Sequence, residues 1–123
     1  MRKEAEQWLK QAESDLKNAK LLLKHGAYDL VAFLSHQIAE KALKHKIIKE
    51  NKDIPAKTHN LKELGDVVEC PIDVAVALRD LTPHYIISRY PDAANAIPAE
   101  IYTEKIAKMC LENAELVMEW CRK

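Results

Sequence analysis

The chain has 123 residues with 19 basic and 19 acidic side chains, so its formal net charge is zero. That balance excludes a uniformly basic surface of the kind that grips nucleic acid without selectivity, and the length allows one hydrophobic core but not two. With two glycines and a composition dominated by Ala, Leu, Lys and Glu, residues 1–123 read as a single all-α domain.

Residues 2–25 carry a helical stripe of Ala5, Trp8, Leu9, Ala12, Leu16, Ala19 and Leu23, with Glu, Lys and Gln on the other faces. Gly26 suits the C-terminus of that helix. Asp29 is placed to cap a second helix running to about Glu50. Its apolar set is broader, with Val31, Leu34, Ile38 and Ala42 on one stripe and Ala32, Ala39 and Leu43 beside it, which makes it the central helix; Gln37, Glu40 and Lys44 are left for solvent. Residues 51–57, with Pro55, form a polar connection. Asn60 then caps a short third helix, with Glu63 in capping-box position, ending near Gly65 or Cys70. Pro71 opens a further helical piece over Ile72 to Leu81. Thr82-Pro83 restarts the chain, Tyr90-Pro91-Asp92 breaks it, and residues 93–98 are loop. A last long helix spans residues 99–121, with Tyr102, Ile106, Cys110, Asn113, Val117 and Trp120 or Cys121 inward. No segment alternates with period two, so no sheet is expected.

The longest apolar run, Leu30 to Leu34, is too short to span a bilayer. Arg2-Lys3-Glu4 leads straight into an amphipathic pattern without an apolar signal core. A cytoplasmic protein with no membrane contact is the expectation. Cys70, Cys110 and Cys121 have no metal spacing. Cys110 and Cys121 would lie about 16 Å apart along one helix, too far for a disulfide, and all three are expected as reduced, mostly buried thiols.

Three segments resemble a known family. Phe33-Leu34-Ser35-His36-Gln37-Ile38-Ala39-Glu40-Lys41-Ala42-Leu43-Lys44 is similar to a second-helix signature. Thr58-His59-Asn60-Leu61 is similar to the entry of a third helix, and Tyr85-Ile86-Ile87-Ser88-Arg89-Tyr90-Pro91-Asp92 to a Tyr-Ile-x-x-Arg-Tyr-Pro-Asp segment. Their order and spacing resemble the HEPN domain family over essentially the whole chain, in its Tyr-x-x-x-Arg-Tyr-Pro-Asp branch. The resemblance implies five helices: an up-down antiparallel four-helix bundle plus one short helix, often as a homodimer. It implies a partner protein, a minimal nucleotidyltransferase, in a toxin–antitoxin or stress-response module. Many members are metal-independent ribonucleases with an Arg-x4–6-His motif; others bind nucleotides or partner proteins. Neither a metal nor a cofactor is implied.

Two candidate sites follow. Arg79-Asp80-Leu81-Thr82-Pro83-His84 fits Arg-x4-His, with His84 as a general base for an RNA 2′-hydroxyl, Arg79 as a phosphate clamp and Asp80 orienting either. On a continuous helix Arg79 and His84 would point about 140° apart, and Pro83 breaks the helix between them. Active family members usually carry a Tyr two positions past the His, whereas Tyr85 follows at once. The second candidate, for ligand binding or an interface, is Tyr85, Arg89, Tyr90 and Asp92: Arg89 for a phosphate, Tyr90 for stacking on a base, Asp92 to anchor Arg89. His59 is expected to satisfy local backbone groups beside the cap. His36 and Glu40 share a helix side without making a metal site, and Trp8 and Trp120 are packing residues. The readings left standing are a nucleotidyltransferase partner binding nucleotide or RNA through Arg79–Asp92, a metal-independent endoribonuclease, and a purely structural helical dimerisation module.

Overall fold

The computed structural model describes residues 3–55 and 58–123; the expected helix start at Arg2 and the end of the connection at residues 56–57 lie outside them. Every regular element among the described residues is helical. The first, α1 (Lys3–Lys24), turns Ala5, Ala12 and Ala19 fully inward. Gly26 closes it with φ at 79°, and the Gly26 and Ala27 amides donate to the Leu23 and Leu22 carbonyls at 3.2 and 3.0 Å. That is the paired closure a left-handed residue permits at a helix end. One acidic residue breaks the inner stripe: Asp15 is buried, accepting from Gln11 Nε2 at 3.0 Å and pairing with Lys41 Nζ at 2.5 Å.

The second helix, α2 (Tyr28–Lys49), begins two residues earlier than expected. Its N-cap is Ala27, with no side-chain cap bond. Asp29 lies in the first turn, where its carboxylate faces the positive end of the helix dipole instead of capping it. Asn51, at φ 59°, ends the helix as Gly26 ends α1, with Lys52 N–H reaching the Ile47 carbonyl at 2.9 Å. Asn60 caps α3 (Leu61–Val67) as expected, accepting from Glu63 N–H at 3.2 Å. Thr58 completes the box: its hydroxyl accepts from Asn60 N–H at 3.0 Å and donates to Glu63 Oε2 at 2.7 Å. The fourth helix, α4 (Ile72–Leu81), has the expected bounds.

Beyond it the chain makes three single turns, α5 (His84–Ile87), α6 (Pro91–Ala94) and α7 (Pro98–Ile101), before α8 (Glu104–Arg122). The expected break at 90–92 and loop at 93–98 therefore hold α6, begun by Pro91 at its first position and ended by Asn95 at φ 55°, and the start of α7. The last helix does not run from residue 99. Tyr102 and Thr103 are extended, and the Thr103 hydroxyl caps α8 by accepting from Ile106 N–H at 3.2 Å. Inside α8 the buried set is Ala107, Cys110, Leu111, Ala114, Val117, Met118 and Cys121. Ile106, Asn113 and Trp120, expected inward, are half-buried at its edges.

The direction of each helix follows from its cross-links. His45 Nδ1, near the end of α2, donates to the Ala5 carbonyl of α1 at 2.8 Å, so these two run antiparallel. Lys46 lies over the Trp120 ring and Lys49 reaches the Lys123 carbonyl, so α2 and α8 run parallel. His84 meets Tyr102 where α4 has just ended and α8 is about to begin, which makes that pair antiparallel. The result is an up-down bundle of α1, α2, α4 and α8, to which α3 and three single turns are added. The parallel pair, α2 and α8, packs closely across the bundle, and both helices bury small residues: Ala32, Ala39, Ala107 and Ala114 have no exposed surface. A helix with neighbours on three sides needs the broad apolar face that α2 carries.

Candidate functional site

Five polar or aromatic side chains share one side of α2: Phe33, His36, Gln37, Glu40 and Lys44, of which Phe33, His36 and Glu40 meet α5 or the Thr58–Asn60 loop. Their spacing of three, four and seven residues puts them on one helix side. Glu40, expected in solvent, is 4% exposed. Its Oε2 receives Lys44 Nζ at 2.9 Å, and His59 Nδ1 lies 3.0 and 3.2 Å from its two oxygens. His59 thus pairs with a carboxylate across the fold rather than with local backbone. Because a carboxylate accepts, Nδ1 carries the proton and Nε2 is the free edge. Lys44 Nζ also sits 4.8 Å from the Trp8 ring centre, linking α1 to the same group.

Tyr85 organises the other side. The His59 ring stacks on it at 5.0 Å and 21°, the His36 ring lies at 4.8 Å and Phe33 at 6.1 Å. The Arg89 guanidinium lies over Phe33, Tyr85 and Tyr90, at 4.6, 4.5 and 5.0 Å from their ring centres. Arg89 Nε donates to the Tyr85 carbonyl at 2.8 Å, so backbone, not Asp92, holds it. Asp92 is exposed in the first turn of α6. Ser88 stays buried by donating its hydroxyl to the His84 carbonyl. Within this cluster His36 is 1% exposed, its Nδ1 lies 4.0 Å from Glu40 Oε1, and neither that nitrogen nor Gln37 Oε1 has a hydrogen-bond partner. Burial lowers the His36 pKa to about 4, with Glu40 opposing the shift, so the ring is neutral near pH 7.

The Arg-x4-His pair is arranged differently. Arg79 is exposed and tied to its neighbour Asp80 at 3.3 Å. His84 Nδ1 is 2.7 Å from the Tyr102 hydroxyl, and burial lowers its pKa. Arg79 borders an open groove of about 680 Å³ together with Asn60, Thr82 and Pro83, and His84 does not line it. Of the residues singled out in the sequence, Tyr85, Arg89 and Tyr90 come together; Asp92 stands outside, and Arg79 and His84 are each engaged elsewhere. Sequence reasoning missed His36, Glu40, Lys44 and His59 as parts of one cluster. The signal that could have found them is the row His36-Glu40-Lys44, headed by Phe33, which repeats at helical spacing along α2.

The family model for the HEPN domain matches residues 5–123. The chain belongs to the HEPN family. Among related proteins, putative toxin MJ1304 of Methanocaldococcus jannaschii is 31% identical to this HEPN domain over 131 residues, covering 95% of this chain and 85% of that one. A crystal structure of ST0689, an archaeal HEPN homologue, superposes with a TM-score of 0.85 at 34% identity, over 98% of this chain and 97% of that one. A crystal structure of TT1696 from Thermus thermophilus superposes with a TM-score of 0.90 at 31% identity, over 98% of each. Among the described residues no helix of this HEPN domain is long and apolar enough to cross a membrane, and no group of His, Cys, Asp and Glu is arranged to hold a metal ion.

Proposed function

We propose that this HEPN protein is the partner of a minimal nucleotidyltransferase in a toxin–antitoxin or stress-response module, and that it binds nucleotide or RNA at the cluster around Arg89. The observation that carries the reading is the Arg89 guanidinium, stacked among three rings with Nε engaged by Tyr85. Its terminal amino groups have no protein acceptor among the described residues. A guanidinium fixed in this way offers its fork to two phosphate oxygens, while Tyr90, 47% exposed, offers a face to a base. The likeness to a protein named as a toxin supports the module.

The test is titration of a labelled oligoribonucleotide and a labelled adenine nucleotide against wild type and Arg89→Ala. Binding that weakens about tenfold or more in the variant, the loss expected for a charged hydrogen bond, supports the reading. Equal binding by both proteins, or none by wild type, overturns it. The partner claim is tested by co-expression with a minimal nucleotidyltransferase from the same genome, and failure to co-purify counts against it. We place the protein in the cytoplasm as a homodimer, with exposed Leu30, Ile86, Ile97 and Ile101 available to a second copy. Sedimentation as a monomer at micromolar concentration would remove that claim.

A second reading, a metal-independent endoribonuclease using Arg79 and His84, is favoured by the open groove that Arg79 borders. Its test is cleavage of a labelled structured RNA in EDTA by wild type, Arg79→Ala and His84→Ala. Cleavage lost in both variants establishes it; cleavage unaffected by either excludes these residues.

A further inference from the structure

His59 is held on two sides. Its Nδ1 edge faces the Glu40 carboxylate at 3.0 and 3.2 Å, and its ring lies on Tyr85 at 5.0 Å. Together these contacts fix both the ring plane and the tautomer, as a carboxylate behind an imidazole does in metal and acid–base sites. Yet the side chain is 54% exposed, so Glu40 positions an imidazole that solvent reaches, with the Nδ1 edge engaged. A histidine serving only to fill a crevice would not leave half its surface open.

A separate observation points to the same place. His36, 1% exposed, presents an unpartnered Nδ1 beside Glu40, and the neighbouring Gln37 Oε1 is unpartnered as well. Buried polar atoms without protein partners are rare and mark a place set up for a polar group. Both imidazoles and the Arg89 guanidinium contact one ring, that of Tyr85.

We propose that His59 touches the ligand directly through Nε2, alongside Arg89, that Glu40 is its positioning residue, and that the ligand is a phosphate ester carrying a stackable base. The proposal rests on the reading of the Arg89 cluster as a ligand site and names a second contact within it. Arg89 supplies a fork and His59 a single-point contact, so a phosphate oxygen not engaged by the guanidinium is reached by the imidazole. Free nucleotide and RNA share this chemistry, and the assay distinguishes them.

The experiment is calorimetric titration of AMP, inorganic phosphate and a short single-stranded oligoribonucleotide into wild type, His59→Asn, His59→Gln and Glu40→Gln. An Asn amide nitrogen falls near the Nδ1 position and keeps the bond to Glu40, whereas a Gln amide nitrogen falls near Nε2. A merely structural histidine is therefore replaced best by Asn, and a ligand contact best by Gln. The expected result is affinity about tenfold weaker in His59→Asn, partly restored in His59→Gln and weakened in Glu40→Gln. Tighter binding of AMP than of the oligoribonucleotide identifies free nucleotide as the source, and the reverse identifies RNA. Unchanged affinity in His59→Asn overturns the inference while leaving the Arg89 reading in place; no binding of any probe by wild type overturns both. Nitrogen-15 spectra of the wild-type imidazoles give a readout that needs no variant. A ligand-induced shift at His59 Nε2 is expected, and an unmoved resonance at saturation overturns the contact.

Discussion

His36 lies against Tyr85 with 1% of its surface exposed, and its burial has a measurable consequence. The folded protein holds its pKa at about 4 against an ordinary 6.5. Below pH 6.5 the unfolded chain takes up a proton that the folded chain refuses, so stability is complete above that pH and falls as the pH drops toward 4. The full difference is about 3 kcal/mol, and His84, also lowered by burial, acts in the same direction. Denaturant unfolding at a series of pH values should show this loss, and His36→Gln should reduce it. Gly65 sets a second residue-level limit. A Cβ there would come within 2.7 Å of Leu78 Cδ1 and 3.1 Å of Cys70 Sγ, so α3 and α4 approach too closely for a side chain. Gly65→Ala should destabilise by about 1–3 kcal/mol, read as a lower urea midpoint. The thiols are quiet: burial pushes Cys110 up to about 11 and Cys121 to about 12, far from the thiolate form that reacts.

At the scale of elements, α1 and α2 meet across alanines seven residues apart. Ala5, Ala12 and Ala19 have no exposed surface, and the heptad interval keeps them on one seam between the two helices. Ala12→Leu should force the pair apart at a cost of about 1–3 kcal/mol, measurable as a drop in melting temperature. The short helix α3 depends on its entry. Replacing Asn60 by Ala removes the acceptor for Glu63 N–H and should cost about 1 kcal/mol, seen by chemical denaturation. The same loop carries His59, so a frayed α3 loosens the cluster around Tyr85 as well. The break between α7 and α8 has a related origin, because Thr103 caps better than it continues a helix.

Across the whole molecule, Glu40 is the point where separate elements meet. Lys44 binds it and reaches Trp8 of α1; His59 binds it and stacks on Tyr85 of α5; Arg89 lies on that same ring. The bundle core holds α1, α2, α4 and α8 together without this chain of contacts, but the 58–60 loop and α5 are joined through it. Glu40→Ala should therefore leave helix content unchanged while speeding amide exchange over residues 58–63, as expected for a locally weaker region. Equal protection in the variant would show that the loop is held by its own cap alone.

The helices and their inward stripes were legible because period and composition are local. Ala5, Ala12 and Ala19, the Asn60 cap and the Ile72–Leu81 helix all follow from spacing that the chain carries in itself. The likeness to the HEPN family rested on three short motifs in the right order, and it set the fold. What the sequence could not give is partnership between distant residues. Nothing in the spacing of α1 pairs Asp15 with Lys41, which packing sets opposite it. Glu40 reads as a solvent residue and His59 as a local cap until α5 folds over both. A side chain's neighbours across a fold are fixed by packing of whole helices, not by its own position in the chain. The sequence by itself determined a HEPN bundle and pointed to Tyr85, Arg89 and Tyr90; only the tertiary structure decided that their companions are His36, Glu40 and His59, because helix packing brings this side of α2 against the loop before α3 and against α5.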